Sequence, residues 1–224
     1  MESRHYIACW HGRLGRPRQA LALHDELLLD RNAVFGEDHP PVVFSRMNIC
    51  KFRGEAGDVQ NALDAYRAPL PDVKRIRGEE HPNTLLVRLN IARFTWELGD
   101  PQGSLVLHKD LIEDQRRVNG ADHPTVMISR YNMAMLRAEL GDTAIALTEL
   151  DTLLADRLTR YGNPLHPEVI TTRYGRARVT AQAGDVAAAI QAIRTVLEDR
   201  ARALGDQHPD TLAAASMLND LLAM

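Results

Sequence analysis

Residues 123–142 read HPTVMISRYNMAMLRAELGD, and the two ends of this stretch say what lies between them. It opens on His123-Pro124 and closes on Gly141-Asp142. Proline suits the first turn of a helix, where a missing N–H costs nothing, and glycine suits the left-handed position just past a helix end. The interior is rich in alanine, leucine and methionine, whose side chains lose little rotamer freedom in a helix. The stretch predicts one helix followed by a tight turn.

The pattern recurs on both sides. Residues 81–100 read HPNTLLVRLNIARFTWELGD and residues 166–185 read HPEVITTRYGRARVTAQAGD. Gly-x-x-His-Pro occurs at Gly36–Pro40, Gly78–Pro82, Gly120–Pro124 and Gly205–Pro209, and once with an inserted residue at Gly162–Pro167. The histidines His39, His81, His123, His166 and His208 keep one constant interval, lengthened only where that inserted residue falls. A second marker keeps step with them: Gly15, Gly57, Gly99, Gly141 and Gly184, the last four followed by Asp58, Asp100, Asp142 and Asp185. Two markers in step over five copies define an internal repeat.

Each repeat then holds two helices. The first of each pair is expected at 40–56, 82–98, 124–140 and 167–183, and the second at 17–35, 59–77, 101–119, 143–161 and 186–204. Residues 3–13 read as a shortened first helix and 209–222 as a closing helix that caps the last apolar face. Small residues recur where paired helices must approach closely: Ala20, Ala62, Ser104, Ala146 and Ala189 in the second helices, Cys50, Ala92, Ala134 and Ala177 in the first. The expected architecture is an all-α, α-solenoid array of about five helix-turn-helix repeats, 1–38, 39–80, 81–122, 123–165 and 166–207, with a closing helix at 208–224. The expected total is eleven helices, treated as one array over 1–224.

The bulk properties agree. Hydrophobic residues make up 45% of the chain and charged residues 25%, with a formal net charge of −3. That balance gives no reason to expect nucleic acid or a membrane surface as partner. Cys9 and Cys50 stand in no CxxC spacing, which suits a reducing compartment, and the N-terminus lacks a secretory leader. The cytoplasm is the expected location.

These stretches resemble tetratricopeptide repeats of the kinesin-light-chain type, which also occur in bacterial proteins. The resemblance implies a right-handed superhelix whose first helices line a concave face, and a scaffold for binding protein or peptide. It also implies which side chains face the groove: Phe44, Met47, Asn48 and Lys51; then Leu89, Asn90, Arg93 and Trp96; then Tyr131, Asn132 and Met135; then Tyr174 and Arg178. Their spacing of i, i+3, i+4 and i+7 is by itself that of one helical stripe. Asn48, Asn90 and Asn132 match the asparagine that contacts the backbone of an extended peptide in the kinesin-light-chain relatives, since an amide offers both donor and acceptor. Bonds between neighbouring helices are the alternative for these three. Gly175 interrupts the row.

No catalytic residue, cofactor or metal site is expected. Equivalent histidines on helices ~8–10 Å apart are too distant for one zinc, whose ligands lie ~2.0–2.3 Å from the ion, so the histidines read as helix caps. Asp30, Asp72, Asp114, Asp156 and Asp199 share one place late in the second helices. Arg46, Arg88, Arg130 and Arg173 share one place on the helices that follow the first four. The two rows predict ion pairs locking each repeat to the next, with an arginine row gripping an acidic ligand as the alternative. Pro69 and Pro71 fall inside a second helix and predict a break near 68–71. The functional expectation is a non-catalytic scaffold that recruits or regulates a separate protein. A self-assembling homodimer is the alternative.

Overall fold

Ten glycines have positive φ, and they are the marker glycines of the repeat. A computed structural model describes residues 2–36 and 39–224, and among them it contains helices and connecting turns with no strand. The helices are α1 (Glu2–Arg13), α2 (Pro17–Phe35), α3 (Pro40–Glu55), α4 (Val59–Arg67), α5 (Leu70–Arg77), α6 (Pro82–Glu97), α7 (Pro101–Asn119), α8 (Pro124–Glu139), α9 (Thr143–Tyr161), α10 (Pro167–Gln182), α11 (Val186–Leu204) and α12 (Pro209–Leu222). Eleven are those expected from the repeat. The twelfth arises because the second helix of the second repeat is split into α4 and α5.

The turn chemistry works as the markers imply. At the Gly-Asp turns the last carbonyls of the first helix are taken up by the residues beyond it. Asp142 N–H donates to Arg137 O at 2.8 Å and Gly141 N–H to Ala138 O at 3.0 Å, the reciprocal pair that terminates a helix when glycine takes positive φ. At the other junction the histidine caps the helix that follows. Nδ1 accepts from the backbone N–H two positions on at His81 (3.1 Å), His123 (3.3 Å), His166 (3.2 Å) and His208 (3.2 Å). The middle of the first such junction, residues 37 and 38, lies outside the described residues.

The chain forms two compact units, Met1–Asp100 and Pro101–Met224. In the first, α1 packs on α2, α2 on α3, α3 on α4, and α4 and α5 on α6; in the second, α7 to α12 pack in succession. The repeated small residues lie at these contacts: Ala20, Ala62, Ser104, Ala146 and Ala189 have no exposed surface, and Ala92, Ala134 and Ala177 are buried. Cys50 is half-buried. Two helical glycines serve the same end. A Cβ on Gly12 would overlap the Phe52 ring and one on Gly54 the Phe94 ring.

The proline break falls where the sequence places it. Ala68 and Pro69 link the two halves, and Ala68 (φ −54°, ψ −49°) and Pro69 (φ −81°, ψ −10°) keep helical backbone angles. The hydrogen-bond ladder is interrupted without reversal of the chain.

The Asp–Arg ladder exists in a different register from the one expected. Asp156 pairs with Arg130 at 2.6 Å, Asp199 with Arg173 at 3.0 Å and Asp30 with Arg4 at 2.5 Å. Each pair joins the two helices of one hairpin. It does not join one repeat to the next. Asp72 lies in the displaced α5, and its carboxylate meets Arg75 one turn along at 3.1 Å, both side chains well exposed.

The lock between repeats is the residue after each aspartate. Advancing one residue turns a helix by about 100°, so Asp156 looks back to α8 while Arg157 looks forward to α10. Arg157 is 1% exposed. It donates to Thr172 Oγ1 at 2.7 Å and Glu168 O at 2.8 Å, and pairs with the Glu168 carboxylate at 2.7 Å. Arg31 repeats the arrangement, donating to Ser45 Oγ at 2.8 Å and Pro41 O at 3.0 Å. In the third repeat Gln115 accepts from Ser129 at 2.8 Å, and at the end of the chain Arg200 donates to Asp210 O at 2.6 Å. Val73 and Val87 stand at the corresponding two places of the second repeat, an apolar pair replacing a polar one.

Arg157→Ala is expected to lower stability by about 2–4 kcal/mol, because it removes charge-assisted hydrogen bonds and leaves a cavity. Asp72→Ala should stay within about 0.5 kcal/mol, as an exposed substitution does. Denaturant melts of the two variants check the contrast, and equal losses would contradict the shifted register.

Candidate functional site

In the first unit the expected stripe lies on α3 and α6, which are in contact. Phe44 is 42% exposed, and Met47, Asn48, Lys51, Arg93 and Trp96 are half-buried. Leu89 and Asn90 are buried, at 6% and 8%, because α6 packs on α4, α5 and α3. Asn90 Nδ2 donates to Leu86 O of its own helix at 2.9 Å. The charges of this stripe compensate one another: Lys51 meets Glu55 at 3.8 Å, and Arg93 meets Glu55 at 3.4 Å and Glu97 at 3.3 Å. Burial pushes the Glu97 carboxyl up despite Arg93 beside it, and Glu55 adds to the rise. Cations and carboxylates therefore alternate along this part of the stripe.

In the second unit the stripe lies on α8 and α10 and continues onto α12. Asn132 and Met135 are buried, at 8% and 4%. Asn132 Nδ2 lies 3.5 Å from His108 Nε2 of α7, a contact between neighbouring helices. Tyr131 is half-buried, and its ring explains the interruption of the asparagine row. A Cβ at Gly175 would come within 2.7 Å of Tyr131 Cε2, so only glycine lets the ring lie against α10. Burial pushes the Tyr131 phenol up. Tyr174 is half-buried, with the Arg200 guanidinium 4.1 Å from its ring centre, within cation–π reach. Arg178 is exposed.

Tyr174 and Arg178 border an open groove of about 520 Å³, completed by Gln182 of α10 and by Ala213, Ser216, Met217 and Asp220 of α12. The α12 residues stand at i, i+3, i+4 and i+7, one repeat period on from Thr171, Tyr174, Gly175 and Arg178. They therefore continue the same stripe. Counting back from a turn glycine misses them, because no turn glycine follows the closing helix; counting forward from the last His-Pro finds them. Gln182 Nε2 donates to Ala138 O at 2.7 Å. The groove offers an aromatic ring, a cation, a thioether and a carboxylate, a mixture suited to a polypeptide. A second groove of about 520 Å³ lies at the second helices, between Lys109, Ile112 and Arg116 of α7 and Thr148, Glu149 and Thr152 of α9.

Hairpins that recur at one fixed period, joined by capped helix starts and carrying a stripe of mixed side chains, define an α-solenoid repeat protein built for protein interaction. The chain belongs to the tetratricopeptide repeat family: residues 1–41, 84–125 and 169–210 match it, together more than half of the sequence. A sequence comparison with curated proteins finds no match. Solved structures similar in fold include the nearly identical TPR-like repeats of a Podosopora anserina protein assigned as a kinesin light chain, at TM-score 0.60 and 19% identity, covering 90% of this chain and 95% of that one. They also include Bacillus thuringiensis PlcR in complex with the peptide PapR7 and DNA, at TM-score 0.73 and 13% identity, covering 100% and 74%. A Rap protein complexed with Competence and Sporulation Factor matches at TM-score 0.65 and 12% identity, covering 98% and 70%.

His108 sets a pH dependence in this unit. Burial lowers its pKa from 6.5 to about 4, so between these values the unfolded chain binds the extra proton. Stability is therefore full above pH 6.5 and falls as pH drops towards 4. At pH 5 the loss from this one group is about 2 kcal/mol relative to neutral pH. His108→Leu, which copies Leu150 at the same place in the next repeat, should reduce the slope of stability against pH by that amount. Denaturant midpoints at pH 7 and pH 5 measure it, and an unchanged slope would show that His108 takes up its proton in the folded state.

Proposed function

We propose that the chain is a non-catalytic scaffold that holds a segment of another polypeptide against its first-helix stripe, and so recruits or regulates a separate protein in the cytoplasm. The observation that carries this reading is the groove of Tyr174, Arg178, Gln182, Met217 and Asp220. It is open and chemically mixed, and its Arg178 is exposed. The stripe of the first unit, with Phe44, Met47, Asn48, Lys51 and Trp96, offers contacts of the same mixed kind. Leu89, Asn90, Asn132 and Met135 support these surfaces from beneath. The similar fold of PlcR, which was solved in complex with the peptide PapR7, supports a ligand of that class. The balanced charges support neither nucleic acid nor a membrane as partner, and among the described residues no helix is long and apolar enough to cross one.

Selection of peptides from a random library on the full chain tests the proposal. Tyr174→Ala and Arg178→Glu should each weaken the selected peptides by roughly 2 kcal/mol, about thirtyfold, on the scale of interface hot spots. Arg116→Glu, in the groove at the second helices, should leave affinity unchanged. Crosslinks confined to the second helices, with full affinity in the Tyr174 variant, would overturn the reading. A concentration-dependent dimer mass abolished by the same two substitutions would replace the outside partner with a second copy of the chain.

A further inference from the structure

Three side chains meet between α1 and α2, where His5 and Cys9 stand one repeat period before Met47 and Lys51 of the stripe. His5 and Cys9 are one turn apart on α1, which puts them on the same face, and His24 faces them from α2. Their ligand atoms all lie within 4.8 Å of one another, with Cys9 Sγ 3.7 Å from His5 Nε2. The ring centres of His5 and His24 are 5.4 Å apart. Zinc bonds of ~2.0–2.1 Å to nitrogen and ~2.3 Å to sulfur place neighbouring ligand atoms of a tetrahedral site roughly 3.4–3.7 Å apart. The sulfur–nitrogen distance already meets this, and small side-chain rotations close the rest.

An independent observation points to a ligand. His24 has no exposed surface, yet neither of its ring nitrogens has a hydrogen-bond partner, and His5 Nδ1 is buried without one as well. Buried polar atoms are almost always satisfied. One face of His24 is stacked on Phe52, with ring centres 5.5 Å apart at 19°, which holds the imidazole plane. The positions equivalent to His24 in the other repeats are Tyr66, His108, Leu150 and Ile193. At the place of Cys9 the other repeats carry Lys51, Arg93, Met135 and Arg178, so only the first repeat has a thiol there.

We propose that His5, Cys9 and His24 form a binding site for a single thiophilic d10 cation, held by two neutral imidazoles and one thiolate. Two imidazoles and a thiolate are a complete trigonal set for Cu(I), and for Zn(II) a set with one open position. Burial of His24, and after it the charges of His5, Arg31 and Lys51, oppose protonation of the ring and keep it in the ligating form. Arg31 and Lys51 favour the smaller net charge of a Cu(I)–thiolate centre. Binding would tie α1 to α2 and stabilise the first hairpin by mass action.

The reduced, metal-stripped full chain is titrated with Co(II) as a probe, then with Zn(II), and under anaerobic conditions with Cu(I). One equivalent should bind, with thiolate-to-cobalt charge-transfer absorption and a rise in thermal midpoint. Cys9→Ser should abolish the absorption and weaken binding more than about 100-fold, beyond the loss from removing a residue that only supports a ligand. Cys50→Ser should change neither. Because His24→Gln could fail to fold, His5→Gln on the half-exposed face of α1 serves as the second ligand test, and it should lose the rise in midpoint. The ion that displaces the other identifies the occupant. Failure of all three ions to bind the folded chain at one equivalent overturns the proposal. So does binding that survives unchanged in both the Cys9 and His5 variants.

Discussion

The guanidinium of Arg157 is buried between two hairpins, and its bonds go to the start of the next helix. Burying a cation is costly unless it is paired and hydrogen-bonded, and Arg157 meets the condition with a carbonyl, a hydroxyl and a carboxylate supplied by the first turns of α10. Those acceptors exist only because the first-turn carbonyl and side chains of α10 are held in place by the His-Pro start. The contact therefore depends on the capped junction, and the spacing of one hairpin on the next depends on the contact. Arg31 and Arg200 repeat it at other junctions.

Two adjacent residues divide the work of assembly. The aspartate closes its own hairpin through a partly exposed ion pair, the kind that contributes at most about 1 kcal/mol. The residue after it joins successive hairpins through buried hydrogen bonds, where an unmatched group is penalised. A valine pair at that place in the second repeat removes the polar requirement entirely. That repeat is also the one whose second helix is broken by Pro69 and whose Asp72 has left the pairing position. The two departures fall together, in the segment where the polar lock is absent.

Packing also limits the stripe. A packed helix cannot leave every side chain of such a stripe free, and Leu89, Asn90, Asn132 and Met135 are buried. Phe44 and Arg178 stay exposed, and Met47, Asn48, Lys51, Trp96 and Tyr174 are half-buried. Lys51 and Arg93 retain their charge, but Glu55 and Glu97 match it.

The sequence by itself determined the period, the helix ends and the break at 68–71. These depend on local chemistry: positive φ at glycine, a missing N–H at proline, a ring nitrogen placed just before an orphan N–H. It also marked the stripe, since the i, i+3, i+4, i+7 rule needs no neighbours. The partners of the aspartates were beyond it. Asp156 has one arginine across the turn behind it, Arg130, and another across the turn ahead, Arg173. Only the rotation of α9 about its own axis decides that Asp156 meets Arg130 while Arg157 takes the forward contact. The meeting of His24 with His5 and Cys9 belongs to the same class of fact. The i, i+4 spacing of His5 and Cys9 was legible. The third donor comes from another helix, and its position was decided when α1 packed against α2.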